Sequence, residues 1–355
     1  MEEIIKIKDI INKEIIQPII NTIVTKYDPI TCLVLSGGSI RGVCTYGALY
    51  EAKELGVFDL KNINTIYATS VGTLIGCLLS MKFEWNDYTN YIVKRPWHKI
   101  FNIDIKNILN SFESCGIFDK SIIFSIVEPF LKARDLSQDI TLEEFYETTQ
   151  VDFHFFITEI NAFECIDVSY TTHPKWKLID AIYTSCSLPI LFPPFFHENN
   201  WYADGSLTMN YPIEKCIEKI GIENEHKILG ICIEDIIDEK TETKKTETKK
   251  IETKKIETEK TETDKTKEPC IKPNQMNLVE YMFSLFSNLI KYRIFKNNII
   301  PKYTYNFHIP FKCITLEDLN NIVRNADERN LLIKSGKDGM NKMMKTKFIH
   351  SKSLQ

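Results

Sequence analysis

Ser70 lies in YATSVGTLIG (67–76), where an apolar run that reads as a strand, INTIYATS, gives way to a run that reads as a helix, VGTLIGCLLSMKF. A free serine is a poor nucleophile, and it becomes reactive only through a special backbone position and a nearby base. A tight strand–Ser–helix turn supplies the position: it strains the serine backbone and requires small residues two before and two after it. Ala68 and Gly72 meet that requirement. The helix that follows places its positive N-terminal end under any negative charge that develops at Ser70. Alone, this five-residue pattern is common by chance.

A second element, LSGGSIRG (35–42), also stands between a predicted strand and a predicted helix. Gly37 and Gly38 let backbone amides turn inward, and such a nest holds an oxyanion or a phosphate. Nucleotide binding is disfavoured, because Ser39 stands where G-x-G-x-x-G needs its middle glycine and no Walker lysine follows. The third element is WYADGSLTMNYP (201–212), in which Asp204 precedes a glycine. In isolation Asp-Gly is a turn. Upstream, however, SCSLPILFPPFF is an apolar, proline-rich loop that reads as the wall of an apolar pocket brought beside Asp204.

In this order the three elements resemble the patatin-like phospholipase family, whose motifs are GGGxRG, GxSxG and DG[GA]. GGSIRG, ATSVG and DGS stand in those places, and SCSLPILFPP matches the serine-proline block before the aspartate. The likeness covers roughly residues 30 to 235. It departs at Ser39, Ala68 and Ser206, each small where the family carries glycine or another small residue. The resemblance implies a Ser70–Asp204 dyad, with an oxyanion loop of Gly37, Gly38, Ser39, Arg41 and Gly42 and with Ala68 and Gly72 flanking the nucleophile. Arg41 has two readings, a contact to lipid phosphate or a structural ion pair. The implied activity is acyl ester hydrolysis of phospholipase A or lysophospholipase type on a phospholipid or other acyl lipid, without cofactor or metal. The alternative is a catalytically impaired lipid-binding member of the family.

Seven histidines offer a conventional triad, with His197 nearest Asp204 in sequence, but FFHENNW reads as a hairpin and a dyad needs no histidine. A net charge of −4 on 355 residues argues against a nucleic-acid partner. The ten cysteines form no CxxC pair and read as reduced, mostly buried thiols, hence a cytoplasmic or other reducing compartment. No uncharged apolar run is long enough to span a membrane.

Strands alternating with helices indicate βαβ units, and the family implies a three-layer α/β/α sandwich around a mostly parallel sheet. Four segments are expected: an isoleucine-rich helix in 1–28 kinked at Pro18, a catalytic core over 29–236, a Lys/Thr/Glu pentad repeat over 237–269, and a C-terminal helical part over 270–355. The repeat has almost nothing apolar and reads as a solvated insertion within one domain. The N-terminal helix and NLVEYMFSLFSNLIKYRIF each have two readings, core packing or peripheral contact with a membrane surface.

Overall fold

The computed structural model describes residues 28–101, 115–235, 307–311 and 316–352. The expected N-terminal helix, the pentad repeat and the helix around residue 285 lie outside the described residues, and with them the expected segment boundaries.

β1 (Cys32–Leu35) is the first described strand and leads through a short turn into α1 (Gly42–Glu54). β2 (Thr65–Thr69) runs into α2 (Val71–Ser80) with a single residue, Ser70, between them. Next along the chain come α3 (Trp85–Lys94), α4 (Lys120–Ala133) and α5 (Leu142–Thr149). β3 (Asp152–Glu159) and β4 (Glu164–Val168) form a hairpin, followed by α6 (Leu178–Cys186). A second hairpin of β5 (Phe195–His197) and β6 (Asn200–Asp204) precedes α7 (Ile213–Ile220) and β7 (Ile228–Asp235). Beyond the undescribed stretch come β8 (Phe307–Phe311), α8 (Leu316–Arg324) and α9 (Ala326–Lys352).

The strands form one sheet in which β8, β7, β1, β2 and β3 run parallel, while β4, β5 and β6 add antiparallel pairings. Side chains alternate across it, as strand geometry demands. Leu33, Leu35, Ile66, Ala68, Phe153, Phe155, Leu229 and Ile231 join the large core under α1 to α6 and the C-terminal helices. Cys32, Val34, Tyr67, Phe156 and Cys232 face the other way and pack with Ile213 and Cys216 of α7. The expected α/β/α layering is therefore present, with unequal layers among the described residues.

The C-terminal helix α9 lies against α1 at glycine-to-backbone distance. A Cβ built on Gly47 would fall 2.1 Å from the Ile333 carbonyl oxygen, and one on Gly336 would fall 2.0 Å from that of Cys44. Two facing glycines let these helices touch along their main chains, and any larger residue would force them apart.

One register detail positions everything that follows. Phe155 and Phe156 of β3 pair with β2 on one edge and with β4 on the other. Ile157, Thr158 and Glu159 pair with β4 and with β6. A strand has only two edges, so β6 takes over the edge of β3 that β2 vacates. Thr69 is opposite Phe156 and Asp204 is opposite Ile157, one step further along the same strand.

Candidate active site

Ser70 has φ 53° and ψ −128°, a conformation that an L-residue adopts only under constraint, at a cost of about 1–3 kcal/mol. The constraints are visible. Its N–H donates to Ser185 Oγ at 2.9 Å, and that hydroxyl donates onward to the Phe156 carbonyl at 2.7 Å. Its carbonyl accepts from the amide and the hydroxyl of Thr73, at 2.8 and 2.7 Å. Gly72 must be glycine because a Cβ there would sit 2.6 Å from the Leu35 carbonyl oxygen. The neighbour that crowds it is thus the end of β1, whereas the sequence pattern points to Ala68, which instead lies fully buried within β2.

The Ser70 hydroxyl donates to Asp204 Oδ2 at 2.7 Å. Asp204 is fully buried; its other oxygen accepts the Ser206 N–H at 2.8 Å, and its own N–H donates to the Ser187 carbonyl at 3.0 Å. Burial pushes the Asp204 carboxyl up to about 6, against the hydrogen bonds from Ser206 and Ser70 that hold it down. A carboxylate in that range is a far better base than one in water and still ionises near neutrality.

Of the loop residues singled out by sequence, Gly37 plays a different part from the one expected. Its N–H donates to the Asn210 carbonyl at 3.1 Å, so it is not a free donor to an oxyanion. Sequence cannot tell which way an amide points, and here the return of the chain after Asp204 captures this one. The Gly38 and Ser39 amides have no partner among the described residues and border the cavity at Ser70. Ser39 has φ 54°, where glycine would rest without strain. Arg41 Nε and its main-chain N–H both donate to the Gly38 carbonyl at 3.1 Å, which fixes the loop, while Gly42 starts α1 tight against Val71.

Ser70 and Asp204 open onto a cavity of about 250 Å³. Its walls are apolar: Leu74 and Leu78 of α2, Tyr91 and Ile92 of α3, Phe101, Phe118 and Ile126, with Leu188, Leu191 and Phe192 from the proline-rich loop, as the sequence reading expects. Sequence reasoning missed the remainder. Leu319 and Val323 of α8 and Arg329 of α9 also line the cavity. Arg329 is 5% exposed and its guanidinium donates to the carbonyls of Val93, Ile322 and Val323, closing the C-terminal turns of α3 and α8. No local signal in the sequence distinguishes this arginine from a surface one.

Sequence comparison matches the model of the patatin-like phospholipase family over residues 33–217, more than half of the chain. The chain belongs to the patatin-like phospholipase family. Among curated relatives, it is 28% identical over 199 residues to a probable lipid hydrolase, 463L, of Invertebrate iridescent virus 6, which is 55% of this chain and 66% of the relative. It is 25% identical over 183 residues to protein R571 of Acanthamoeba polyphaga mimivirus, 51% of this chain and 59% of the relative. The chain thus spans less than two thirds of the length of either. In three dimensions it is similar to VipD from Legionella pneumophila, with a TM-score of 0.50 at 14% identity, covering 90% of this chain and 67% of that one. That likeness supports the patatin-type fold.

The histidines stand apart from this patatin-like centre. None of them lines the cavity among the described residues. His197 meets Trp176 edge-to-face at 4.9 Å between centroids, and His154 is buried on the opposite face of the sheet. Six of the eight described cysteines are buried and none of the eight forms a disulfide. Among the described residues no helix is long and apolar enough to cross a membrane.

Proposed function

We propose that the chain is a lipid acyl hydrolase of the phospholipase A or lysophospholipase type, acting through Ser70 and Asp204. The observation that carries this reading is the 2.7 Å hydrogen bond from a strained serine to a buried carboxylate at the mouth of an apolar cavity. In this reading the Ser70 proton passes to Asp204 as Oγ attacks the ester carbonyl carbon. Negative charge moves to the carbonyl oxygen, where the Gly38 and Ser39 amides and the N-terminal end of α2 stabilise it. Asp204 returns the proton to the departing alcohol, and water, activated by the same carboxylate, releases the fatty acid from the acyl-enzyme. The cavity walls accept the acyl chain by removing its methylenes from water, each worth about 0.8 kcal/mol.

The name of the viral relative, a probable lipid hydrolase, supports the same reading. The test is release of labelled fatty acid from a phospholipid by the full chain and by Ser70→Ala. Ser70-dependent release, with labelling of Ser70 by a fluorophosphonate, is the expected result. Binding of the lipid with no release above the Ser70→Ala level would leave the impaired, lipid-binding reading in its place.

A further inference from the structure

Counting the donors around Ser70 exposes a gap, and one side chain is placed to fill it. The Gly37 amide is taken by the Asn210 carbonyl and the Ser70 amide by Ser185 Oγ. Within the glycine loop two main-chain amides, Gly38 and Ser39, remain, beside the N-terminal end of α2, for an oxygen that carries nearly a full charge in the transition state. Asn210 lies on the cavity wall and is only 8% exposed. A Cβ built on Gly37 would fall 2.4 Å from Asn210 Oδ1 and 3.1 Å from Ser70 Cβ, so only Gly37 separates the carboxamide from the serine. The Asn210 carboxamide has no hydrogen bond among the described residues. Its amide atoms are not themselves fully enclosed, so they reach cavity solvent that a ligand oxygen can displace.

Its position is also fixed independently of its side chain. Thr69 Oγ1, next to the nucleophile, donates to the Met209 carbonyl at 2.8 Å, and the Gly37 amide holds the Asn210 carbonyl. The segment is therefore pinned at two successive carbonyls, to the β2 end and to the glycine loop. An unpartnered carboxamide can turn about its own axis to present either its oxygen or its NH2 to the cavity.

We infer that Asn210 is a catalytic residue, donating a hydrogen bond from Nδ2 to the ester carbonyl oxygen as charge develops there. The inference rests on the acyl hydrolase reading above and adds a side-chain donor to the two main-chain amides. No proton is transferred by this group; it spreads the charge of the oxyanion. Its position beside Gly37 also explains how the loop functions with one amide turned away.

The experiment compares the full chain with Asn210→Ala, the isosteric Asn210→Asp and Ser70→Ala. Turnover is measured on p-nitrophenyl butyrate and on a labelled phospholipid, with thermal midpoints in parallel. Removing one oxyanion donor lowers kcat by about 10²–10³-fold. We expect Asn210→Ala to lose about 10²-fold in kcat with KM within about 3-fold of the parent. We expect Asn210→Asp, which keeps the shape but cannot donate when ionised, to lose at least as much. Fluorophosphonate labelling of Ser70 should slow in step, because the phosphonyl oxygen occupies the same donors. A kcat within about 3-fold of the parent in Asn210→Asp, or a loss seen in KM alone, overturns the inference while leaving the hydrolase reading intact. Turnover in the parent no better than in Ser70→Ala overturns both.

Discussion

Two acid-containing centres lie on opposite faces of the sheet around β2 and β3, and their surroundings treat charge in opposite ways. On one face Asp204 has hydroxyl and amide donors but no cation among the described residues, and burial lifts its carboxyl to about 6. On the other face His154 lies between two carboxylates. Its Nδ1 is 2.8 and 2.9 Å from the two oxygens of Asp167, and its Nε2 is 3.3 Å from Asp152, too far out of line for a hydrogen bond. Burial pushes the imidazole down, but the two acids outweigh it and hold the group at about 9. The ring also stacks on Tyr67, at 4.1 Å between centroids. Backbone strain follows the same division. Ser39 and Ser70 both have positive φ beside the cavity, whereas His154 sits in the middle of regular β3. The lesson is that a compensated buried charge is scaffold, and an under-compensated one facing a cavity is where chemistry is to be sought.

The contrast can be broken most sharply at Asp204. Asp204→Asn removes the carboxylate that the proposed mechanism uses as base and should cut ester hydrolysis by about 10²–10⁴-fold. The same substitution should stabilise the protein at pH 7–8. A folded value near 6 against the ordinary 3.8 means that the native state holds its proton more tightly, so stability is greatest at low pH and falls as pH rises through 6. Ionisation then costs the fold on the order of 2–3 kcal/mol at neutral pH, a penalty the amide escapes. Urea titrations at pH 4 and 8 check this: the gain should be present at 8 and vanish at 4. A uniform loss of stability at both would contradict it.

His154→Ala should do the reverse. Loss of the stacked, ion-paired ring should cost about 2–4 kcal/mol of stability, with turnover per folded molecule within about 3-fold of the parent. Because the folded value lies above the ordinary 6.5, this stabilisation is full below that pH and is lost as pH rises through 9. The gap between the stability curves of parent and variant should therefore narrow above pH 9 to the pH-independent packing loss. A variant that keeps its stability and loses turnover would erase the distinction between the two centres.

The smallest expected effect sharpens the comparison at the strained backbone. Ser39→Gly relieves a positive φ at the cavity edge, worth on the order of 1 kcal/mol, but gives most of it back in chain entropy. Stability should move by less than about 1 kcal/mol, with kcat within about 3-fold. A change of tenfold or more in kcat would mean that the serine hydroxyl, and not merely the amide, takes part.

Much of this was legible in the chain. Small residues around Ser70, the glycine loop and Asp-Gly after a proline-rich stretch encode backbone geometry locally, so spacing alone locates them. The alternation of strands and helices likewise gives the parallel sheet. What stays hidden depends on direction or distance. The outward turn of the Gly37 amide is set by Asn210, 173 positions away. The cavity wall from Leu319, Val323 and Arg329 is set by how α9 rests on α1 through Gly47 and Gly336, a contact that no periodicity announces. His154, Asp152 and Asp167 became a cluster only through the β3–β4 register.

That β6 replaces β2 along one edge of β3 has a consequence for how such a molecule can vary. Ser70 and Asp204 measure their separation along a neighbouring strand, in one residue step, and not through the 134 positions of chain between them. Apart from α6 and the turn after it, whose Ser185 and Ser187 hold Ser70 and Asp204, loops in that interval can therefore be lengthened or trimmed without disturbing the pair. A slip of β6 by a single position would leave every helix in place and separate the two groups.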